Sequence, residues 1–291
     1  LDNWADRTMP AADDDLVINQ ASGIFYNLPD GSVSYGTVRI LALRGGRLGL
    51  PEMNVFTSGS TYPEYRPRIM HLPCDRLEIG LGDGPGTDLA VIDIGTGTDT
   101  VIVVRNLATP TTYEPALQLT GGSKESTELY VQKGRVGLAM RDGEAAGFKT
   151  LEVANANGSY GDAMVLAGRG CELDAIESNG GDLRLYCGWS TLIMHSGYVY
   201  QYEGQTGAGD IAGGTFYHMS DTAAEALGDD TPNFWVRSGG ELDFSRDVRE
   251  VDIALIRVEK DGKISGHDIR VEGTLVQDAT PGDTTTLRKG R

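Results

Sequence analysis

The sequence predicts an all-β chain wound into stacked layers, a β-solenoid, on three observations. Glycine-led turns recur along the chain, the segments after them alternate apolar and polar residues, and in the densest region the turns return at near-constant spacing. The stretch from Gly180 to Gly204, GGDLRLYCGWSTLIMHSGYVYQYEG, carries all three. Glycine suits such a turn because it adopts positive φ without a Cβ clash, and period-two alternation sends one face of the following strand inward.

In chain order the pattern reads LRGGRLGL (43–50), VQKGRVGL (131–138), NGGDLRL (179–185), RSGGELDF (237–244) and EKDGKISG (259–266). Each is a polar turn, one or two glycines, then an alternating strand, and such recurrence is the signature of a repeat architecture. Strands after turns begin at Gly181, Gly197 and Gly214, at intervals of 16 and 17 residues, and intervening strands near Cys171, Thr191 and Asp210 follow at 20 and 19. Two interleaved series are what successive layers produce. Stacking them aligns Leu183, Val199 and Phe216 inward, with Leu185, Gln201 and His218 as a second inward column whose polar members need internal hydrogen bonds. The same register points Arg184, Tyr200 and Tyr217 outward as a cationic and aromatic ribbon.

The ends and loops follow from this frame. Residues 1–15, through Trp4 and Pro10, are the expected N-terminal cap, because a terminal layer otherwise exposes unpaired backbone groups and bare apolar side chains. Residues 16–275 form the solenoid, with long loops at 51–73 and 220–232; AAEAL (223–227) within the second is expected to make one short helical turn. Residues 276–291 contain too few apolar residues to fold alone and read as an extended C-terminal arm that orders on a partner. With strands about 4.8 Å apart, about a dozen layers make a rod on the order of 60 Å long.

Composition narrows the partners. A net charge of −17 repels nucleic-acid phosphates and anionic membrane surfaces, so neither is expected as a partner. The 40 glycines, about twice the share that an average of about 7% would give, are dispersed among apolar residues and so read as structural. No apolar run approaches the ~18 residues of a membrane span, and the opening LDNWADRTMP has neither the basic nor the apolar region of a secretion signal. A chain that starts at Leu1 leaves an upstream segment open. Three cysteines are not a disulfide framework. Cys171 and Cys187, 16 residues apart, fall on neighbouring layers and read as small buried apolar residues, with a bond between them as the alternative.

Candidate chemistry is sparse. ELD occurs at Glu172–Asp174 and at Glu241–Asp243, and an inward leucine sets each acid pair about 6.5–7 Å apart on the outer face, a separation that an inverting glycosidase uses. Recurrence at equivalent positions assigns both copies to the repeat instead. SGHDI places His267 in a turn without clustered aspartates. His71 and Cys74 have ligand-like spacing but lack the further ligands of a zinc site. GDGPGTDL (82–89) partly resembles a calcium-binding glycine and aspartate repeat but stands alone, and Asp13, Asp14 and Asp15 either bind calcium loosely or solvate the first layer. No GxSxG, GxGxxG before a helix, or GxxxxGK[ST] is present, so neither a nucleophilic hydrolase nor a nucleotide cofactor is expected. No cofactor, metal or catalytic residue is assigned.

The opening NW...MPAADDDLVIN, a tryptophan, a proline, an acidic run and a first strand, together with turns such as VRSGGELDFSRD, resembles the right-handed parallel β-helix proteins found among virion components of tailed bacteriophages and some bacterial surface proteins. The resemblance covers roughly Trp4 to Leu275 and rests on repeat style. It implies a non-enzymatic structural or adhesive virion protein, a capsid decoration or a fibre or tail-associated component, often a homotrimer and in contact with other virion proteins. The expected contact residues are Arg184, Tyr200 and Tyr217 on the ribbon, Tyr62 and Tyr65 in the first long loop, and Arg288, Lys289 and Arg291 in the arm, because tyrosine and arginine bury much area while keeping a polar handle. Cross-layer packing is the competing role for the tyrosines. Two other readings stand beside this one. The first is a carbohydrate-binding or depolymerising β-helix on a host surface glycan, with Tyr200 and Tyr217 beside Glu172 and Asp174; the second is a secreted bacterial adhesin module.

Overall fold

In the computed structural model, residues 8–19, 33–41, 69–80, 90–96, 99–107, 115–154, 163–228, 231–246 and 253–266 are described with their side chains. The strands Gly23–Phe25, Gly46–Leu48, Pro51–Val55, Thr61–Pro67 and Thr274–Asp278 are described as backbone. The described chain is all-β, and its strands pair in parallel except for one antiparallel ribbon.

Two long parallel ladders organise the chain, which passes from one to the other as it advances. The first runs from Leu16–Ile18 through Tyr35–Ile40, Cys74–Ile79 and Val101–Val104 to the second half of Leu117–Val131. It continues through Ala146–Ala154, the first halves of Cys171–Leu185 and Trp189–Gln201, then Ala208–Ile211, Phe234–Val236, Leu255–Glu259 and Thr274–Asp278. The second ladder joins Met70–His71, Ala90–Thr96, the first half of Leu117–Val131, Gly134–Leu138 and Ala163–Ala167. It ends through the second halves of Cys171–Leu185 and Trp189–Gln201, then Gly214–His218, Gly240–Asp243 and Lys263–Ser265.

Register converts alternation into a core. On the first ladder Val38, Leu77, Ile102, Leu129, Leu151, Ile176, Leu192, Gly209, Phe234 and Ile256 stand in one column, and every member is buried. Gly209 belongs there because a Cβ would meet the Phe234 ring at 3.0 Å; the missing methyl makes room for the larger neighbour. On the second ladder the predicted column Leu183, Val199 and Phe216 is in register, buried, and continues to Leu242.

The second predicted column, Leu185, Gln201 and His218, is also fully buried and in register. Gln201 is satisfied from within. Its Oε1 accepts from Trp189 Nε1 at 2.7 Å, and its Nε2 donates to the carbonyls of Cys187, at 2.9 Å, and Glu203. His218 lies among the rings of Phe216, Phe234 and Phe244, at centroid distances of 6.3, 5.8 and 5.6 Å.

Several expectations are corrected. The series Cys171, Thr191 and Asp210 is not a register: Thr191 pairs with Ala175 and Ala208, so the first ladder repeats at the same 16 and 17 residues as the second. The cause is the 15-residue strand Cys171–Leu185, whose opening residues pair with Ala146–Phe148 on a short third ladder before the chain reaches the first. The stretch 51–73 is not only loop, since Pro51–Val55 and Thr61–Pro67 pair as an antiparallel ribbon and Met70–His71 enters the second ladder. AAEAL forms no helix. Ala224 is buried and bridges Ile253, its carbonyl accepts from Ala254 N at 3.0 Å, and Asn233 Nδ2 donates to Glu225 O at 2.8 Å, so cross-layer bonds occupy carbonyls that a helical turn would use.

At the N-terminal end Asp14 Oδ2 accepts from Ala11 N and Asp15 Oδ1 from Thr37 N, both at 2.7 Å, so these aspartates tie down backbone at the first layer. Trp4 and residues 279–291, with Arg288, Lys289 and Arg291, lie outside the described residues. The first ladder extends to Asp278, three residues past the expected end of the solenoid.

Candidate functional site

On the second ladder the residues between inward positions face out, and register places Arg184, Tyr200 and Tyr217 side by side as the alternation predicts. Tyr200 and Tyr217 stack with centroids 4.7 Å apart and planes 8° from parallel. The Arg184 guanidinium lies 5.6 Å from the Tyr200 centroid, and Arg246 lies 4.2 Å from that of Tyr217 and 5.3 Å from that of Tyr200. Cation–π attraction and ring stacking thus join four side chains from four successive layers.

The surface is wider than the three predicted residues. Tyr198 lies 6.4 Å from both Tyr200 and Tyr217, Tyr202 lies 6.4 Å from Tyr200, and Tyr186 stacks on Tyr202 at 4.6 Å and 5°. The signal was present in the sequence, since YVYQY sets tyrosines at alternate positions 198, 200 and 202, all outward by parity. Arg246 follows the ELDF strand by two residues and reaches the ring stack from the next layer, a contact that spacing alone does not reveal.

Ionic pairs brace the surface. Arg184 makes two bonds to Asp182, at 3.3 and 3.2 Å, and Asp182 in turn holds the guanidinium above its ordinary pKa. Arg169 forks onto Glu203 with two bonds of 2.6 Å. Burial first, then the Asp182 charge, raises the Tyr200 phenol above its ordinary range.

A second cation–aromatic group lies on the first ladder and was missed. Arg237 covers the Trp235 ring at 3.8 Å, Arg257 lies 4.9 Å from it, and Arg237 is clamped by Asp210 at 2.6 and 2.7 Å. Tyr62 and Tyr65 fall in the strand Thr61–Pro67 of the antiparallel ribbon, and their side chains lie outside the described residues.

The other candidates separate. The two ELD copies are not equivalent: Leu242 belongs to the second ladder, while Leu173 belongs to the short third one. Glu172 pairs with Lys124 at 3.5 Å, Glu241 accepts from Ser265 Oγ, and Asp243 accepts from Ser245 N at 2.6 Å. Glu172 therefore lies on a different ladder from Tyr200 and Tyr217. His71 Nδ1 meets Asp93 Oδ2 at 2.8 Å, whereas Cys74 is buried and its thiol is pushed up to about 12, chiefly by burial, so the two do not act as a ligand pair. Residues 82–89 and His267 lie outside the described residues. Among the described residues no three His, Cys, Asp or Glu side chains gather to hold a metal ion.

One titration offers a direct test of the ladder geometry. Tyr130 Oη donates to Glu128 Oε2 at 2.7 Å, and that bond is the first cause of a phenol pKa raised from 10.0 to about 12. Because the folded value exceeds the unfolded one, the bond's contribution is complete below pH ~10 and is lost as pH rises through the folded value. Carbon-13 NMR of labelled tyrosine should find Tyr130 titrating about two units above an ordinary phenol, and Glu128→Gln should return it most of the way. An ordinary midpoint in the unmodified protein would refute the contact.

No protein-family model matches the chain, and neither does any curated protein or solved structure compared with it.

Proposed function

We propose that the chain is a right-handed parallel β-helix and that it serves as a non-enzymatic structural component of a bacteriophage particle, a capsid decoration or a fibre or tail-associated protein. The observation that carries the reading is the tyrosine and arginine face on a rigid parallel ladder. Its rings stack on one another and on guanidinium groups, which pre-orders large side chains of the kind that dominate protein interfaces. Stacking uses ring faces that a sugar would need, which favours a protein partner over a glycan at this spot. Backbone hydrogen bonds between successive layers supply rigidity, and the ribbon supplies attachment to other virion proteins, with a homotrimer as the expected assembly.

Quantitative mass spectrometry of purified particles tests this proposal. Hundreds of copies per particle identify a decoration protein and a few to a few dozen a tail or fibre component; absence from particles overturns the reading. If the ribbon is the contact, the double variant Tyr200→Ala/Tyr217→Ala remains folded but loses at least about 2 kcal/mol of binding, roughly 30-fold in affinity for the particle.

A carbohydrate-binding reading has one observation in its favour. A groove of about 270 Å³ beside Tyr198 is lined by Gly197, Gly214, Gly239, Gly240, Thr215, Glu241 and Lys263, joining bare backbone to an exposed ring and polar side chains. Release of reducing ends from host polysaccharide, abolished in Glu241→Gln, would move the function to that groove.

A further inference from the structure

The parallel register that sets Leu173 opposite Trp189 also determines what lies two residues before each of them: Cys171 and Cys187. Cys171 opens the strand Cys171–Leu185, Cys187 lies in the bend just before Trp189–Gln201, and both are 4% exposed within one buried core. The adjoining pair Leu173 and Trp189 sits on strands about 4.8 Å apart, and the Cys171 and Cys187 side chains are within hydrogen-bond reach of each other, a proximity that suits the roughly 4.4–6.8 Å Cα separation that a disulfide spans. Both thiols are reduced in this structure, and the backbone around them is held. Cys171 N donates to Gly168 O at 3.0 Å, and the Cys187 carbonyl accepts from the buried Gln201 amide.

We propose that Cys171 and Cys187 form an intrachain disulfide when the chain folds in an oxidising compartment, clamping two consecutive layers beside the tyrosine face. With glutathione disulfide as oxidant, one cysteine thiolate attacks its S–S bond and releases one glutathione thiolate. The second cysteine thiolate then attacks the mixed disulfide at the protein sulfur and releases the other. Two protein thiols lose two protons and two electrons, and one glutathione disulfide becomes two glutathiones. A side-chain hydrogen bond with Cys187, followed by burial, raises the Cys171 thiol well above its ordinary range. The closed fold therefore keeps the Cys171 thiol protonated and seals both sulfurs from solvent, and exchange occurs before these layers close.

The test is refolding from denaturant in a glutathione redox buffer and, in parallel, in a phosphine reductant. In the redox buffer the thiols titrated after denaturation fall from three to one per chain, and the mass drops by ~2 Da. Non-reducing peptide mapping shows Cys171 joined to Cys187, and the oxidised protein melts about 5–10 °C above the reduced form. Cys74→Ser, with the third cysteine removed, keeps the bond and leaves no titratable thiol, and it serves as readout if Cys187→Ser fails to fold. Three thiols persisting in folded protein from the redox buffer, or a linked peptide containing Cys74, overturns the proposal.

Discussion

Gly197→Ala is expected to lower stability by roughly 3 kcal/mol or more, a fall in Tm of about 6–12 °C for a chain of this size. Gly197 turns the strand Trp189–Gln201 from the first ladder to the second with φ of +91°, directly over Gly181 at +85° and under Gly214 at +79°. An alanine there meets two separate penalties. Left-handed backbone costs an ordinary residue about 1–2 kcal/mol, and the new Cβ lies 2.6 Å from Gly181 O and 2.8 Å from Gly180 C. Those atoms are backbone, set between the ladder pairs at Asn179 and Asp182, so they cannot yield cheaply. Gly143→Ala separates the two effects: its φ is +81°, but nothing lies within 4 Å of the added Cβ, so it should lose only about 1 kcal/mol. Equal losses in urea unfolding of the two variants would show that the stacked corners do not touch.

The second large effect is expected at Phe216→Ala, about 3–5 kcal/mol. Phe216 is fully buried between Val199 and Leu242 in its column, packs 5.2 Å from Phe234, and meets Trp189 edge-on at 6.3 Å. Truncation leaves a cavity in a stack whose backbone spacing is fixed by hydrogen bonds, so collapse cannot fill it. Its chain neighbour Tyr217, pointing the other way, should lose less when cut to alanine, about 1–2 kcal/mol for its ring stacking and cation–π contacts. Tryptophan fluorescence during denaturation reads both. Similar losses at 216 and 217 would mean that the inward and outward assignments are wrong.

Much of this architecture was legible because a strand has a period of two and the layers between Leu183 and Phe216 repeat almost evenly. Those facts suffice for the inward column at Leu183, Val199 and Phe216, the second column at Leu185, Gln201 and His218, and the ribbon at Arg184, Tyr200 and Tyr217. The first ladder was misregistered because Cys171–Leu185 bends without a break in strand character, so the start of its alternation is not the start of a layer. AAEAL looked helical by composition, but a parallel bridge at Ala224 decided its backbone, which no local propensity encodes. Arg246 joins the ribbon, and Lys124 pairs with Glu172, through cross-layer contacts, so the extent of the site was hidden where its alternating tyrosines were not.

Because columns and not sequence neighbours define the interior, the natural unit of change in length is one layer. Excising the 16 residues that separate Leu183 from Val199 would set Val199, Tyr200 and Gln201 where Leu183, Arg184 and Leu185 had stood, with every inward residue still inward. The molecule would be shorter by about 4.8 Å, its ladders otherwise continuous. An excision of 15 would turn each following side chain to the wrong face. The spacing in register thus sets a ruler for how this chain can grow or shrink: by whole layers, with the surface pattern edited one row at a time.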